Sequence, residues 1–279
     1  MLLSKSLKFE TILNKMDTRY FIRLAYDGAR YHGWQIQENA ITVQEVINKA
    51  LGTVWDKDIR VTGCGRTDTG VNATSYYAHF DTGIFKDRSD LDKLIFRLNR
   101  YLPEDIVIFD IFPVPPGLHA RHDAISRTYE YRIHQFKDPF LNKQSWFVNY
   151  ILDLHLMNQA GEILKEYEDF TSFSKFNEKR KTNLCSILEA RWEKEGHRTY
   201  FRITANRFLH DMVRAIVGTM VLVGRHKVTL EDFRKIIESR DRCAAGESVP
   251  ARGLYLSDVK YEGLPGSNSI QHCTFNIQH

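Results

Sequence analysis

The feature that most constrains the fold is a repeated order of elements on either side of a proline-rich stretch, Pro113-Val114-Pro115-Pro116-Gly117. Before it, residues 18–26 (TRYFIRLAY) alternate and are rich in aromatic and β-branched side chains, which predicts a strand closed by the turn pair Asp27-Gly28. A helix follows. Thr42 and Glu45 make a capping box, and Val43, Val46, Ile47, Ala50, Leu51 and Val54 form one apolar stripe. A short strand near 59–63, a loop over 64–72, a strand over 74–81, a helix near 89–101 and a strand near 106–112 complete a β-α-β-β-α-β order. In the strand over 74–81, Tyr76, Ala78 and Phe80 alternate with Ser75, Tyr77 and His79.

The order then recurs. A strand is expected over 127–135, a helix near 154–167, strands near 184–194 and 198–205, helices near 207–223 and 229–239 and a last strand over 254–261. Thr229 with Asp232 marks the start of the second of those helices. Two copies of this order point to an α+β protein made of two ferredoxin-like halves. Their strands are expected to join into one mostly antiparallel sheet, with helices on one face and an active-site cleft between the halves on the exposed face. The expected division is a leader over 1–16, an N-terminal half over 17–114, a C-terminal half over 115–264 and a tail over 265–279. The leader reads as a loosely ordered extension or as an upstream start, since Met16 stands just before the first strand.

Composition narrows the class further. The 279 residues are 43% hydrophobic and 27% charged, an ordinary globular balance. No apolar run nears the roughly 20 residues of a membrane helix, and the N-terminus lacks the apolar core of a secretion signal. The expected location is the cytoplasm. The four cysteines, Cys64, Cys185, Cys243 and Cys273, make no CxxC, which argues against zinc fingers and for free thiols. The net charge of +4 decides little, but basic residues cluster. Lys175, Lys179, Arg180 and Lys181 crowd one polar stretch; Arg121, Arg127 and Arg132 crowd another near Tyr129 and Tyr131. Each cluster fits a solvated face or a phosphate-binding surface. No HExxH or P-loop is present, and His119 and His122 read as structural.

Two segments carry possible chemistry. In Cys64-Gly65-Arg66-Thr67-Asp68-Thr69-Gly70-Val71-Asn72, two glycines flank an aspartate between strands. Taken alone, this fits a tight turn whose Asp68 bonds nearby backbone better than it fits a catalytic loop. The helix near 207–223 shifts the balance. Arg214 lies among Met212, Val213, Ile216, Val217, Met220 and Val221, and a buried guanidinium needs a carboxylate or several acceptors unless it reaches the surface. Asp68 is a candidate partner, and an adjacent Arg would keep it ionised.

Together these segments resemble the TruA-type tRNA pseudouridine synthases, over nearly the whole chain from Tyr20 to Tyr261. The motifs are Tyr26-Asp27-Gly28 with Tyr31, Gly33-Trp34-Gln35 and Gln37; Gly65-Arg66-Thr67-Asp68 with Gly70-Val71; His119-Ala120-Arg121 with Arg127-Thr128-Tyr129; Phe208 and His210 with Met212-Val213-Arg214 and Ile216-Val217-Gly218; and Gly253-Leu254-Tyr255-Leu256. The resemblance implies that Asp68 is the catalytic aspartate, that Arg66 helps turn out the target uridine, that Tyr129 and Leu254 hold the base and that Arg214 pairs with Asp68. It implies a homodimer acting on uridines 38, 39 and 40 of the tRNA anticodon arm, with no metal and no cofactor. Lys175, Lys179, Arg180 and Lys181 would then contact the tRNA backbone. The chain departs from the family pattern at Thr69 and Asn72, where Ala and His are usual.

Overall fold

The structure, a computed structural model, describes residues 18–55, 58–83, 85–175 and 182–264. The first strand, β1 (Thr18–Tyr26), falls where its alternation places it. It is followed by α1 (Val43–Trp55), β2 (Thr62–Gly63), β3 (Asn72–Thr82), α2 (Arg88–Tyr101) and β4 (Ile106–Pro113). After the proline-rich stretch come β5 (Ala124–His134), β6 (Trp146–Phe147), α3 (Leu154–Leu164), β7 (Ile187–Glu195), β8 (Arg198–Ala205), α4 (Met212–Gly224), α5 (Leu230–Ser239) and β9 (Leu254–Tyr261).

The nine strands form one sheet in the order β4-β1-β3-β9-β5-β8-β7, with β2 on β3 and β6 on β5. Pairing is antiparallel except for β3 with β9 and β5 with β6. The order β4-β1-β3-β2 comes from the first run of elements and β9-β5-β8-β7 from the second. The seam between them is short. β3 and β9 pair only through Asn72 with Tyr255 and Ala73 with Leu256. Since Asn72 is also the first residue of β3, the loop carrying Asp68 ends on the seam itself.

Apolar burial gathers in two clusters. One holds β1, β3 and the inner faces of α1 and α2, including Ile22, Leu24, Ile47, Tyr76 and Phe80. The other holds β5, β8 and the helices α3 to α5, including Tyr131, Met157, Phe201, Ile216 and Phe233. Tyr129, half-buried, packs against both. Among the described residues no helix is long and apolar enough to cross a membrane.

Two expectations change. Thr42 does not cap α1 with its hydroxyl, which is buried without a hydrogen-bond partner. The first amides of α1 are met instead by backbone: Val43 N–H donates to Gly33 O (3.2 Å) and Gln44 N–H to Trp34 O (3.1 Å). The helix expected from 207 begins only at Met212, because Asp211 takes a left-handed conformation (φ 66°) that breaks the helical path. Strand β3 is buried on both faces. Ser75, Tyr77 and His79 are buried as well; Ala120 N–H donates to His79 Nδ1 (3.2 Å) and Tyr261 Oη–H to Ala120 O (2.6 Å). By contrast α5 starts as expected, with Thr229 Oγ1 accepting from Asp232 N–H (3.1 Å).

Gly161 tests how closely α3 rests on β7. Helix propensity alone favours alanine there by about 1 kcal/mol. A Cβ at this position would stand 2.3 Å from Ala190 O, a backbone atom that cannot swing away. Gly161→Ala is therefore expected to destabilise the protein by about 1–3 kcal/mol, read as a fall in Tm by circular dichroism.

Candidate active site

The Asp68 loop is held in place by the N-terminal motif packed behind it. Tyr26 and Thr67 hydroxyls are bonded at 2.8 Å. Trp34 N–H donates to Thr67 O (3.2 Å), and Gly70 N–H to Tyr31 O (3.2 Å). Trp34 stacks on Tyr76 (centroids 4.1 Å apart), whose hydroxyl donates to Gly65 O at 2.5 Å. Gly33 has φ +85°, and a Cβ on it would meet Thr67 O at 2.3 Å. The Tyr-Asp-Gly and Gly-Trp-Gln motifs thus build the bed on which the Asp68 backbone lies. Asp68 O accepts from Val71 N–H (3.1 Å), and Gly70 supplies the positive φ (+75°) that this turn needs.

Asn72 closes the loop. Its Oδ1 accepts from Gly28 N–H (2.8 Å) and its Nδ2 donates to Arg252 O (3.1 Å). The buried amide is thus satisfied at both ends and ties backbone to backbone.

The Asp68 carboxylate keeps a quarter of its side-chain surface exposed, and its Oδ1 lies 3.2 Å from His210 Nε2. Burial pushes its carboxyl above the ordinary carboxylate range and Asp211 adds to the push; His210, Arg214 and Lys175 pull the other way without cancelling it. Arg214 does not form the close pair with Asp68 that was expected. Its Nη1 lies 3.1 Å from Asp211 Oδ1, and its Nε donates to Val249 O at 2.6 Å. Asp211, buried, also accepts from the Ser248 hydroxyl. The reason is local: the left-handed turn at Asp211 sets its carboxylate beside Arg214, three residues on. Arg214 therefore favours the Asp68 carboxylate only through space, and burial outweighs it in direction.

Tyr129 comes close to this group. Its ring meets Phe208 edge-on at 5.0 Å (87°), and its hydroxyl is pushed upward by burial and by the charges of Cys64 and Asp68. On β5 it shares a face with Tyr131, which lies in the core with α3 and α4. The site therefore opens on the helix-bearing side of the sheet, not on the opposite face. Leu254 pairs with Tyr131, is 5% exposed and forms part of the wall below.

The expected arginine cluster divides. Arg132 leaves it, stacking 3.7 Å over the Tyr255 ring and pairing with Glu130 (2.7 Å). Arg127 is engaged by backbone, donating to the carbonyls of Ala124, Asn206, Cys64 and Arg121. Arg66 and Arg121 are exposed beside half-buried Arg207. The Arg121 guanidinium is held below its usual range by burial and by the like charges of Arg66, Arg127 and Arg207. Such a self-repelling group favours an anion. Lys175 is exposed and acts on Asp68 electrostatically. Lys179, Arg180 and Lys181, like the leader over 1–16 and the tail over 265–279, lie outside the described residues. Cys64 is buried and its thiol is pushed up to about 11, so it is no nucleophile at neutral pH. Among the described residues no cluster of His, Cys, Asp or Glu could hold a metal ion. Two surface concavities, around Tyr150 and Arg225 and around Asn48 and Arg60, lie away from Asp68.

Sequence reasoning assigned no role to His210, Asp211, Ser248 or Arg207. A His-Asp pair preceding a helix that holds a buried arginine was the available signal for the first two. Ser248 is 37 residues from Asp211 and carried none.

A family model for tRNA pseudouridine synthase matches residues 167–262. The tRNA pseudouridine synthase A of Bacteroides fragilis is 50% identical over 244 residues, covering 87% of this chain and 96% of the relative. That of Bacteroides thetaiotaomicron is 50% identical over 246 residues (87% and 90%), and that of Clostridium acetobutylicum 38% identical over 242 (86% and 98%). The match places the chain among the pseudouridine synthases. It belongs to the tRNA pseudouridine synthase A family.

Two stability measurements check the geometry. Asn72→Ala leaves two backbone groups without partners and is expected to cost about 1–3 kcal/mol, measured by urea unfolding. For Asp68, the folded protein holds its proton more tightly than the unfolded chain. The group therefore favours folding at acid pH and loses that contribution as pH rises through its folded pKa. Asp68→Asn should raise Tm at pH 7, with the gain shrinking as the pH falls; an unchanged Tm at pH 7 would contradict the desolvation.

Proposed function

We propose that the chain isomerises uridine to pseudouridine in tRNA, at positions 38, 39 and 40 of the anticodon arm, with Asp68 as the catalytic carboxylate. The observation that carries this reading is a partly desolvated aspartate on a rigid loop, with a half-buried tyrosine close by and exposed arginines on the same loop and around it. Family membership supports the reaction type. The strand orders β4-β1-β3-β2 and β9-β5-β8-β7 support two ferredoxin-like halves, divided near 114, with the site at their seam.

The reaction breaks the N-glycosidic bond, turns the uracil and rejoins it through carbon. A stacked base is out of reach, so the nucleotide must be extruded at a cost of a few kcal/mol. Arg66 offsets that cost by filling the vacated place and meeting phosphate. The Tyr129 ring takes the base, a stacking worth roughly 1–3 kcal/mol, while Leu254 backs the wall beneath it. Asp68, poorly solvated and therefore a stronger base and nucleophile than a surface carboxylate, attacks the sugar carbon or supplies the counter-charge for proton removal. No hydride or electron is exchanged, so the reaction asks for no cofactor. Arg121 and Arg207, with Lys175, Lys179, Arg180 and Lys181, meet the tRNA backbone. The enzyme works in the cytoplasm as a homodimer, whose second copy would help hold the stem.

Asp68→Ala is expected to abolish pseudouridine formation, mapped in tRNA treated with purified protein, while tRNA binding stays within a few-fold of the parent. Substantial turnover by that variant would falsify the assignment. Tyr129→Leu should lower the rate more than the affinity. Binding should weaken steeply between low and moderate salt, and a flat salt response would count against the phosphate contacts.

A further inference from the structure

Among the described residues, the basic side chain in contact with the Asp68 carboxylate sits on the loop that leads into α4. His210 Nε2 stands 3.2 Å from Asp68 Oδ1, with half of its side chain exposed to solvent. Arg214, the cation that the resemblance had offered, is held by two contacts, Asp211 and Val249 O, and Asp211 is in turn fixed by the Ser248 hydroxyl. A guanidinium whose Nε and Nη1 are both directed elsewhere approaches Asp68 only through space. Asp211 also brings a second negative charge toward Asp68. The site thus has an internal carboxylate that engages its arginine and a histidine in the place thereby left open.

We propose that His210 is the positioning residue and charge partner of Asp68 in this chain, orienting the carboxylate through Nε2 and supplying the positive charge that Arg214 gives to Asp211. This rests on Asp68 being the working carboxylate. The charged and titratable groups around Asp68 are His210 and Asp211 on the loop before α4, Arg214 on α4, Lys175 after the Phe173 turn and Tyr129 on β5. Of these, His210 is the one in close contact with the carboxylate, Nε2 standing 3.2 Å from Oδ1. Where His210 is protonated it favours the carboxylate form of Asp68. Where it is neutral, its Nε2–H tautomer still donates to the oxygen and holds its direction. Asp68 should therefore ionise at lower pH with His210 present than without it.

The test is single-turnover pseudouridine formation on a tRNA transcript, followed from about pH 4.5 to 8 with the full chain. In the parent protein the rate climbs with pH as Asp68 ionises. In His210→Gln the midpoint of that climb should move up by roughly half a unit or more, since one close opposite charge is lost from a half-exposed site. His210→Lys, which keeps a cation at every pH, should return the midpoint to the parent value or below. Because His210 is half exposed, both variants should fold, which Tm confirms. An unshifted midpoint in His210→Gln, with Asp68→Ala inactive, overturns the inference and leaves the Asp68 assignment standing. So does a weaker tRNA affinity with an unshifted midpoint, which would make His210 a phosphate contact. An active Asp68→Ala overturns both readings together.

Discussion

One side-chain amide joins backbone from the first run of elements to backbone from the second. Asn72 accepts from Gly28 in the first half and donates to Arg252 in the second, at the point where β3 and β9 share two residue pairs. The β3–β9 seam itself holds only those two pairs. The amide adds two directional bonds in a buried setting, where an unsatisfied group costs about 1–3 kcal/mol. The position of Asp68, four residues earlier, follows from that clamp and from the Tyr26, Tyr31 and Trp34 contacts behind the loop.

The same geometry accounts for the electrostatics. A carboxylate at a seam loses water on both sides, so burial is the largest influence on it. Four ionic groups then contend around it. His210, Arg214 and Lys175 favour its charge and Asp211 opposes it, while Asp211 also engages Arg214. The aspartate is left poorly solvated yet close to cations, a combination that stores reactivity in a rigid frame at some expense of stability. The arginines around Arg121 face the complementary problem. Their mutual repulsion is relieved by an anion, and a nucleic acid backbone supplies one at regular spacing.

Much of the secondary structure was legible because it depends on short-range pattern. β1 and β9 lie where alternation put them, and α5 begins at its Thr229 cap. The failures have different causes. Thr42 has the composition of a cap, but backbone from Gly33 and Trp34 reached the α1 amides first. Apolar periodicity continued through 207–211, yet the left-handed Asp211 delayed α4 to Met212. At α1 a segment from outside the helix displaced the local rule; at α4 a single backbone angle did.

From the sequence came most of the order of elements, though not the short β6, and the loop that carries Asp68, because periodicity and motif spacing are properties of neighbouring residues; the place of Tyr129 beside it came from the resemblance to a family. The tertiary structure alone decided which face of the sheet holds the site, that Arg214 binds Asp211 and that His210 meets Asp68. Those outcomes turn on angles at single residues and on distances of about 3 Å between atoms far apart along the chain. Ionic pairing falls off over a few ångströms in competition with water, so one left-handed residue at 211 was enough to redirect it.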